Sequence, residues 1–241
     1  MRSIRLGVNI DHVATVRNAR GENYPSPLRA ALLCEKYGAN SVTIHLREDR
    51  RHIRDFDLKV IKKKLKIPLN LEIAPVKHMV KISLKYKPDY VCIVPEKRRE
   101  ITTEGGLNLK KKSNLIRNII KNLKKENIRI SLFIEPNLSD IKLAKEIKSD
   151  CVEIHTGKIC NLLNQGKKYT IELDRIKKAV NFANKIGLEV HVGHGINFSS
   201  AKVLSKIKGI KEFNIGHFLI GESIFIGINK SIKKFKQILK K

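Results

Sequence analysis

The sequence predicts an α/β fold, a single (βα)8 TIM barrel with extra helices, and three observations carry that reading. Eight short apolar runs alternate with stretches of helical periodicity, and each run stops at a polar, chemically capable residue. The chain has 241 residues, close to the ~250 typical of one such barrel and enough to bury a large core. One domain over residues 1–241 is the economical organisation, because no Ser/Gly-rich linker, long repeat or low-complexity tract divides it.

The elements follow in order. Leu6-Gly7-Val8 runs into Asn9, Asp11 and His12, and Ser41 to Ile44 runs into His45, Arg47 and His52. Pro68 to Leu71 ends at Glu72, Tyr90 to Val94 at Glu96, and Ile130 to Ile134 at Glu135. Cys151-Val152 leads through Glu153 to His155, Leu188 to Val192 reaches His194, and Phe213 to Ile215 ends at Gly216-His217. Between them lie helical patterns such as Leu28, Ala31, Leu32, Tyr37 and Ile171, Ile176, Val180, Ala183. Short runs rich in β-branched residues and bounded by turns read as buried parallel strands, and their alternation with helices implies right-handed crossovers. In a closed barrel the loops after the strands gather on one face, so the polar endings are expected to form one site.

Composition excludes several classes. No apolar run approaches the ~18 residues of a membrane span, and the arginines near Met1 have no apolar stretch behind them, so a cytoplasmic protein with no membrane partner is expected. Cys34, Cys92, Cys151 and Cys160 form no CxxC pair or metal-ligand spacing, and they are expected to be plain thiols. The formal charge is +27. Lysines nevertheless recur on nearly every predicted helix (Lys62 to Lys64, Lys110 to Lys112, Lys177-Lys178, Lys233-Lys234) and form no stripe. Aromatics are only 5% of residues, too few for a stacking platform, so no nucleic-acid partner is expected. The positive field would still attract anionic substrates.

All histidines except His78 fall within or just after a predicted strand end. Imidazoles converging with carboxylates make an acid/base site, because imidazole exchanges protons near neutral pH. Glu72 closes the third strand among apolar residues, where desolvation would raise its pKa toward that of a general acid or base. Glu153 holds the comparable place on the sixth, two residues before His155, and strand alternation points both to one side. In Arg47-Glu48-Asp49-Arg50-Arg51-His52, Arg47 and His52 could grip a phosphate while Glu48 and Asp49 orient the arginines. Thr102-Thr103-Glu104-Gly105-Gly106 offers hydroxyls and a glycine hinge for a lid. Gly193-His194-Gly195 and Gly216-His217 lie where barrels often bind phosphate on backbone N–H groups. Two anion pockets with acid/base groups between them suit two phosphorylated substrates.

On these residues the chain resembles the pyridoxine 5′-phosphate synthase family. The matching segments are Gly7-Val8-Asn9-Ile10-Asp11-His12, Arg17-Asn18-Ala19-Arg20-Gly21, His45 to Ile53, Asn70-Leu71-Glu72, Val94 to Arg98, Thr102 to Leu107, Glu153 to Gly157, Gly193-His194-Gly195 and Asn214 to His217. They span almost the whole chain in order. The resemblance implies condensation of 3-amino-2-oxopropyl phosphate with 1-deoxy-D-xylulose 5-phosphate to pyridoxine 5′-phosphate, phosphate and water, with no metal and no other cofactor. It implies His45 and Glu72 as proton acceptors, His194 as a proton donor and Glu153 as a stabiliser of transition-state charge. Asn9, Arg20, Gly195, Gly216 and His217 would hold the aminoketone phosphate, and Asp11, His12, Arg47, His52 and Thr102 the deoxyxylulose phosphate. It also implies a homo-oligomer, an octamer, in which Arg20 reaches a neighbour's site.

The chain departs from that family's pattern at His191-Val192, where Asn-Ala is expected ahead of Gly-His-Gly. His191 either replaces an amide as a hydrogen-bonding group or changes the proton inventory near His194. Competing readings are a phosphate-binding barrel with one substrate, such as a sugar-phosphate epimerase or isomerase, and a basic nucleic-acid binder that reuses the barrel.

Overall fold

The structure, a computed structural model, describes residues 4–96 and 105–240. Its strands are β1 (Arg5–Asn9), β2 (Ser41–His45), β3 (Leu69–Ile73), β4 (Tyr90–Ile93), β5 (Arg129–Ile134), β6 (Cys151–His155), β7 (Glu189–Gly193) and β8 (Ile210–Ile215). All pair in parallel in sequence order, and β8 closes on β1. This is the expected eight-stranded barrel.

Among the described residues eight helices make the crossovers and the closing outer layer: α2 (Pro27–Lys36), α3 (Asp55–Lys64), α4 (Lys77–Tyr86), α5 (Leu109–Lys124), α6 (Leu138–Glu146), α8 (Thr170–Lys185), α9 (Phe198–Leu204) and α11 (Ile228–Leu239). The extra helices are α1 (Asp11–Arg20), α7 (Gly157–Asn164) and α10 (His217–Ile226), which begin directly after β1, β6 and β8. Each therefore presents its first turn to the C-terminal face of the barrel. Among the described residues no helix is long and apolar enough to cross a membrane.

Local chemistry explains the helices. In α5, Leu109, Ile116, Ile119, Ile120 and Leu123 form the buried face, and the Asn108 side chain accepts from Lys111 N at the start. Ser26 caps α2 with Pro27 at its first position, and Asn197 with Ser200 makes a capping box for α9.

The strands alternate with period two. Outward residues such as Leu6, Val8, Val42, Ile44, Leu71, Ile93, Leu132, Ile154 and Val192 join Leu58, Ile61, Ile176 and Val180 of the helices in one hydrophobic core between barrel and helices. Inward residues are polar or small, and they bond across the lumen. Asn70 donates to Thr43 Oγ1 (3.2 Å), Ser41 to Glu212 Oε1 (2.9 Å), and Asn214 to Glu153 Oε2 (2.7 Å). Branched apolar side chains commonly fill such a lumen; here, among the described residues, Cys92, Val94 and Phe133 form a small apolar cluster. Glycine makes the space. A methyl group on Gly7 would collide with Asn214, and one on Gly193 with Glu153.

The N-terminal end of the lumen is closed by charge. Arg5 bonds Glu189 and donates to Glu212 Oε2 (2.6 Å), Arg129 lies 3.0 Å from Glu189, and His191 Nε2 lies 2.9 Å from Glu189 Oε1. His191 thus belongs to this basal cluster and pairs in register with Glu153.

Candidate active site

At the opposite end, β1, β2 and β3 deliver one half of a cavity of about 660 Å³. Asn9 and Asp11 lock each other across the start of α1: Asn9 Nδ2 donates to Asp11 Oδ2 and Asp11 N to Asn9 Oδ1, both at 2.9 Å. Asp11 Oδ1 then accepts from His45 N (2.8 Å) and lies 3.9 Å from His52 Nδ1. The His45 ring is held between two carboxylates, with Nδ1 3.8 Å from Glu72 and Nε2 3.4 Å from Glu96. Glu96 also accepts from Glu48 N (2.9 Å) and stands 3.8 Å from Arg47. Burial opposes its ionisation, but the nearby His45 ring and the hydrogen bond from Glu48 N hold Glu96 below the usual carboxylate range.

Glu72 and Glu153 share the cavity floor. Burial raises Glu72 well above the ordinary carboxylate value, and repulsion from Glu153 and Asp11 adds to it. Burial likewise raises Glu153 to about 7, although His191 and the Asn214 hydrogen bond pull it down. These two carboxylates hold protons where ordinary ones have lost them.

The second half comes from β6, β7 and β8. His155 Nδ1 bonds Glu135 Oε1 at 2.7 Å, and the His155 and His194 rings lie 4.8 Å apart. A methyl on Gly157 would stand 2.7 Å from one ring and 2.9 Å from the other, so glycine is needed beneath them. Thr156 Oγ1 donates to Gly193 O and His194 O, both at 2.8 Å, and so clamps a turn in which His194 and Gly195 each have φ of +76°. A histidine in that region is uncommon, and the strain is held by the clamp. Burial, then repulsion from His155 and His217, pushes His194 down to about 4, so the ring is neutral. His12 meets His217 edge-on at 4.9 Å, and burial lowers His12 by more than Asp11 raises it.

Asn9, Asp11, His12, His45, Arg47, His52, Glu72, Glu153, His194, Gly195, Gly216 and His217 therefore line one cavity. Arg20 is absent from it and exposed in the last turn of α1. Thr102 lies outside the described residues, as do Thr103 and Glu104 of the expected lid; Gly106 N donates to Glu135 Oε1 (3.3 Å). One expected detail is corrected. Asp49 does orient arginines, lying 3.5 Å from Arg47 and 2.7 Å from Arg51, but the Glu48 carboxylate faces His78 at 3.8 Å, and Glu96 takes the place beside Arg47.

Sequence reasoning placed Glu96 among the polar strand endings of the site but gave no role to Asn161, Asn164, Asn197 or Asn214. Asn214 was legible as an inward position two residues after Glu212, and Asn161 as one turn into α7; Asn164 and Asn197 meet only through folding, at 2.7 Å. Among the described residues, Asp11, His45 and His52 could offer a metal three ligand atoms within 4.8 Å of one another. Both Asp11 oxygens are already engaged, by His45 N and Asn9, and His52 Nδ1 accepts from Ile53 N (2.9 Å). A metal there would have to break the contacts that shape the cavity.

A family model described as pyridoxal phosphate biosynthesis protein PdxJ matches residues 6–241. The chain is 57% identical over 237 residues to the pyridoxine 5′-phosphate synthase of Pelagibacter ubique, covering 98% of this chain and 99% of that one. It is 47% identical to the protein of the same name from Zymomonas mobilis, covering 99% and 92%. The solved 3-hexulose-6-phosphate synthase of Salmonella typhimurium superposes with a TM-score of 0.67 at 14% identity, over 98% of each chain, a likeness of fold alone.

Proposed function

Since the chain belongs to the PdxJ family of pyridoxal phosphate biosynthesis proteins, we propose that it condenses 3-amino-2-oxopropyl phosphate with 1-deoxy-D-xylulose 5-phosphate, releasing phosphate and water. The activity is that of a pyridoxine 5′-phosphate synthase, an enzyme of vitamin B6 biosynthesis. The observation that carries the substrate reading is the Glu72 and Glu153 pair, with raised proton affinity, between His45 and His194 on the floor of one cavity.

Ring closure needs imine formation, enolisation, phosphate loss, cyclisation and dehydration, and each step moves a proton. Glu72 and His45 are the acceptors in this scheme. They stand 3.8 Å apart, longer than a hydrogen bond, so each would take its proton from the substrate directly. Glu153, fixed by Asn214, stabilises charge in the transition state. His194 is neutral in the free protein. A phosphate dianion bound at Gly195, Gly216 and His217 beside Asn9 would raise its proton affinity and make it the donor for departing water. Arg47, His52, Asp11, His12 and Thr102 would hold the deoxyxylulose phosphate.

We further infer an octamer in which Arg20 enters a neighbour's aminoketone phosphate pocket, and a cytosolic location. Exposed Arg20, Val16, Ile224 and Phe225 on α1 and α10 support an assembly surface there. Light scattering on the purified protein tests the octamer.

The function is tested by incubating the protein with both substrates in chelator and following pyridoxine 5′-phosphate and released phosphate together. Equal appearance of both, requiring both substrates, is expected. Conversion of one substrate alone would favour an isomerase-type barrel instead.

A further inference from the structure

The loop between β2 and α3 brings Arg47 and His52 to the cavity, yet two residues of α1 that never touch the cavity hold that loop in place. Arg17 is 5% exposed and forms a two-pronged bond to Asp57 of α3, Nη1 to Oδ1 at 2.6 Å and Nη2 to Oδ2 at 2.9 Å. The same Nη2 donates to His52 O at 3.1 Å. Asn18 Nδ2 donates to His52 O at 2.8 Å and to Arg51 O at 3.1 Å, and its Oδ1 accepts from Arg17 Nε at 3.0 Å. Asp57 Oδ2 also accepts from Arg54 N (2.8 Å), which caps α3 where the loop ends.

We propose that Arg17, Asn18 and Asp57 form a clasp that positions His52 and fixes its tautomer for the deoxyxylulose phosphate. With His52 O held by two donors and its Nδ1 accepting from Ile53 N, the ring has little freedom about its own backbone. A neutral ring whose Nδ1 accepts must carry its proton on Nε2. Burial keeps His52 below the usual histidine value, so this neutral donor is its state in the free protein. The clasp thus supplies a fixed N–H donor at one rim of the cavity, and it does so from outside the cavity. The identity of the ligand at that rim rests on the function proposed above; the tautomer does not.

Asn18 is the residue to test, because it is half-buried on a helix surface and its loss leaves the Arg17 and Asp57 pair intact. Asn18→Ala is expected to raise KM for 1-deoxy-D-xylulose 5-phosphate roughly tenfold while KM for 3-amino-2-oxopropyl phosphate and kcat change less than about twofold. Asn18→Gln, which keeps the amide donor, should recover part of the loss. Nitrogen-15 NMR of labelled imidazoles should show His52 as the Nε2–H tautomer in the parent protein and as a mixture in Asn18→Ala. Unchanged KM values with an unchanged His52 spectrum would overturn the clasp, as would an equal rise for both substrates. If the parent protein failed to turn over the two substrates, the proposed function would fall, and the NMR spectra would still decide the clasp.

Discussion

The two ends of the barrel lumen hold the same kinds of group and treat them in opposite ways. At the N-terminal end Glu189 accepts from His191, Arg5 and Arg129, and these bonds depress its proton affinity below the usual carboxylate range against the effect of burial. At the C-terminal end Glu72 and Glu153 lie deeper, no arginine pairs with either carboxylate among the described residues, and burial raises both. The difference is one of pairing. Charge matched by charge closes the barrel, and charge left partly unmatched is available for proton transfer.

The largest expected effect lies at the mouth. Glu72→Gln preserves shape and removes the base, so kcat should fall about a thousandfold with folding intact by circular dichroism. Activity within tenfold of the parent would break the comparison there. At the base the opposite pattern is expected. Arg5→Met leaves Glu212 buried without its cation, and denaturant unfolding should show a loss of roughly 3 kcal/mol, while kcat stays near the parent value.

Stability against pH separates the two ends by sign. Glu189 is depressed on folding, so its contribution is present above the ordinary value of 4.5 and lost as pH falls below it. Glu153 is raised, so its contribution is full below 4.5 and lost as pH rises through about 7. Thermal unfolding of Glu153→Gln should therefore gain on the parent between pH 4.5 and 7, and an equal pH dependence in both proteins would contradict the assignment. The smallest effect is expected where the ends meet. His191 lowers the proton affinity of Glu153, so His191→Asn should move a Glu153-dependent limb of the kcat profile to higher pH by less than about one unit. A shift to lower pH would assign His191 another role.

The mouth was legible in the sequence because parallel strands hide both faces and end where the chain meets solvent, which made His45, Glu72, His194 and His217 conspicuous. The base was not legible in that way. Arg5, Arg129 and Glu189 open their strands, Glu212 lies two residues into β8, and only barrel closure brings these distant positions together. The polar lumen was present as period-two alternation in Ser41-Val42-Thr43-Ile44-His45 and Leu69-Asn70-Leu71-Glu72, but runs read for their apolar members concealed it. His191 illustrates the limit. Three residues from His194 in sequence, it faces the base, because strand direction rather than sequence distance decides which end a side chain serves.

The central claim is that the mouth keeps a carboxylate protonated near neutral pH while the base does not. Carbon-13 NMR of glutamate-labelled protein, titrated from pH 3 to 9 in the parent and in Glu153→Gln, tests it directly. A carboxyl titrating near 7 in the parent and missing from the variant is the predicted result; glutamates that all titrate at or below the ordinary carboxylate range would contradict the account.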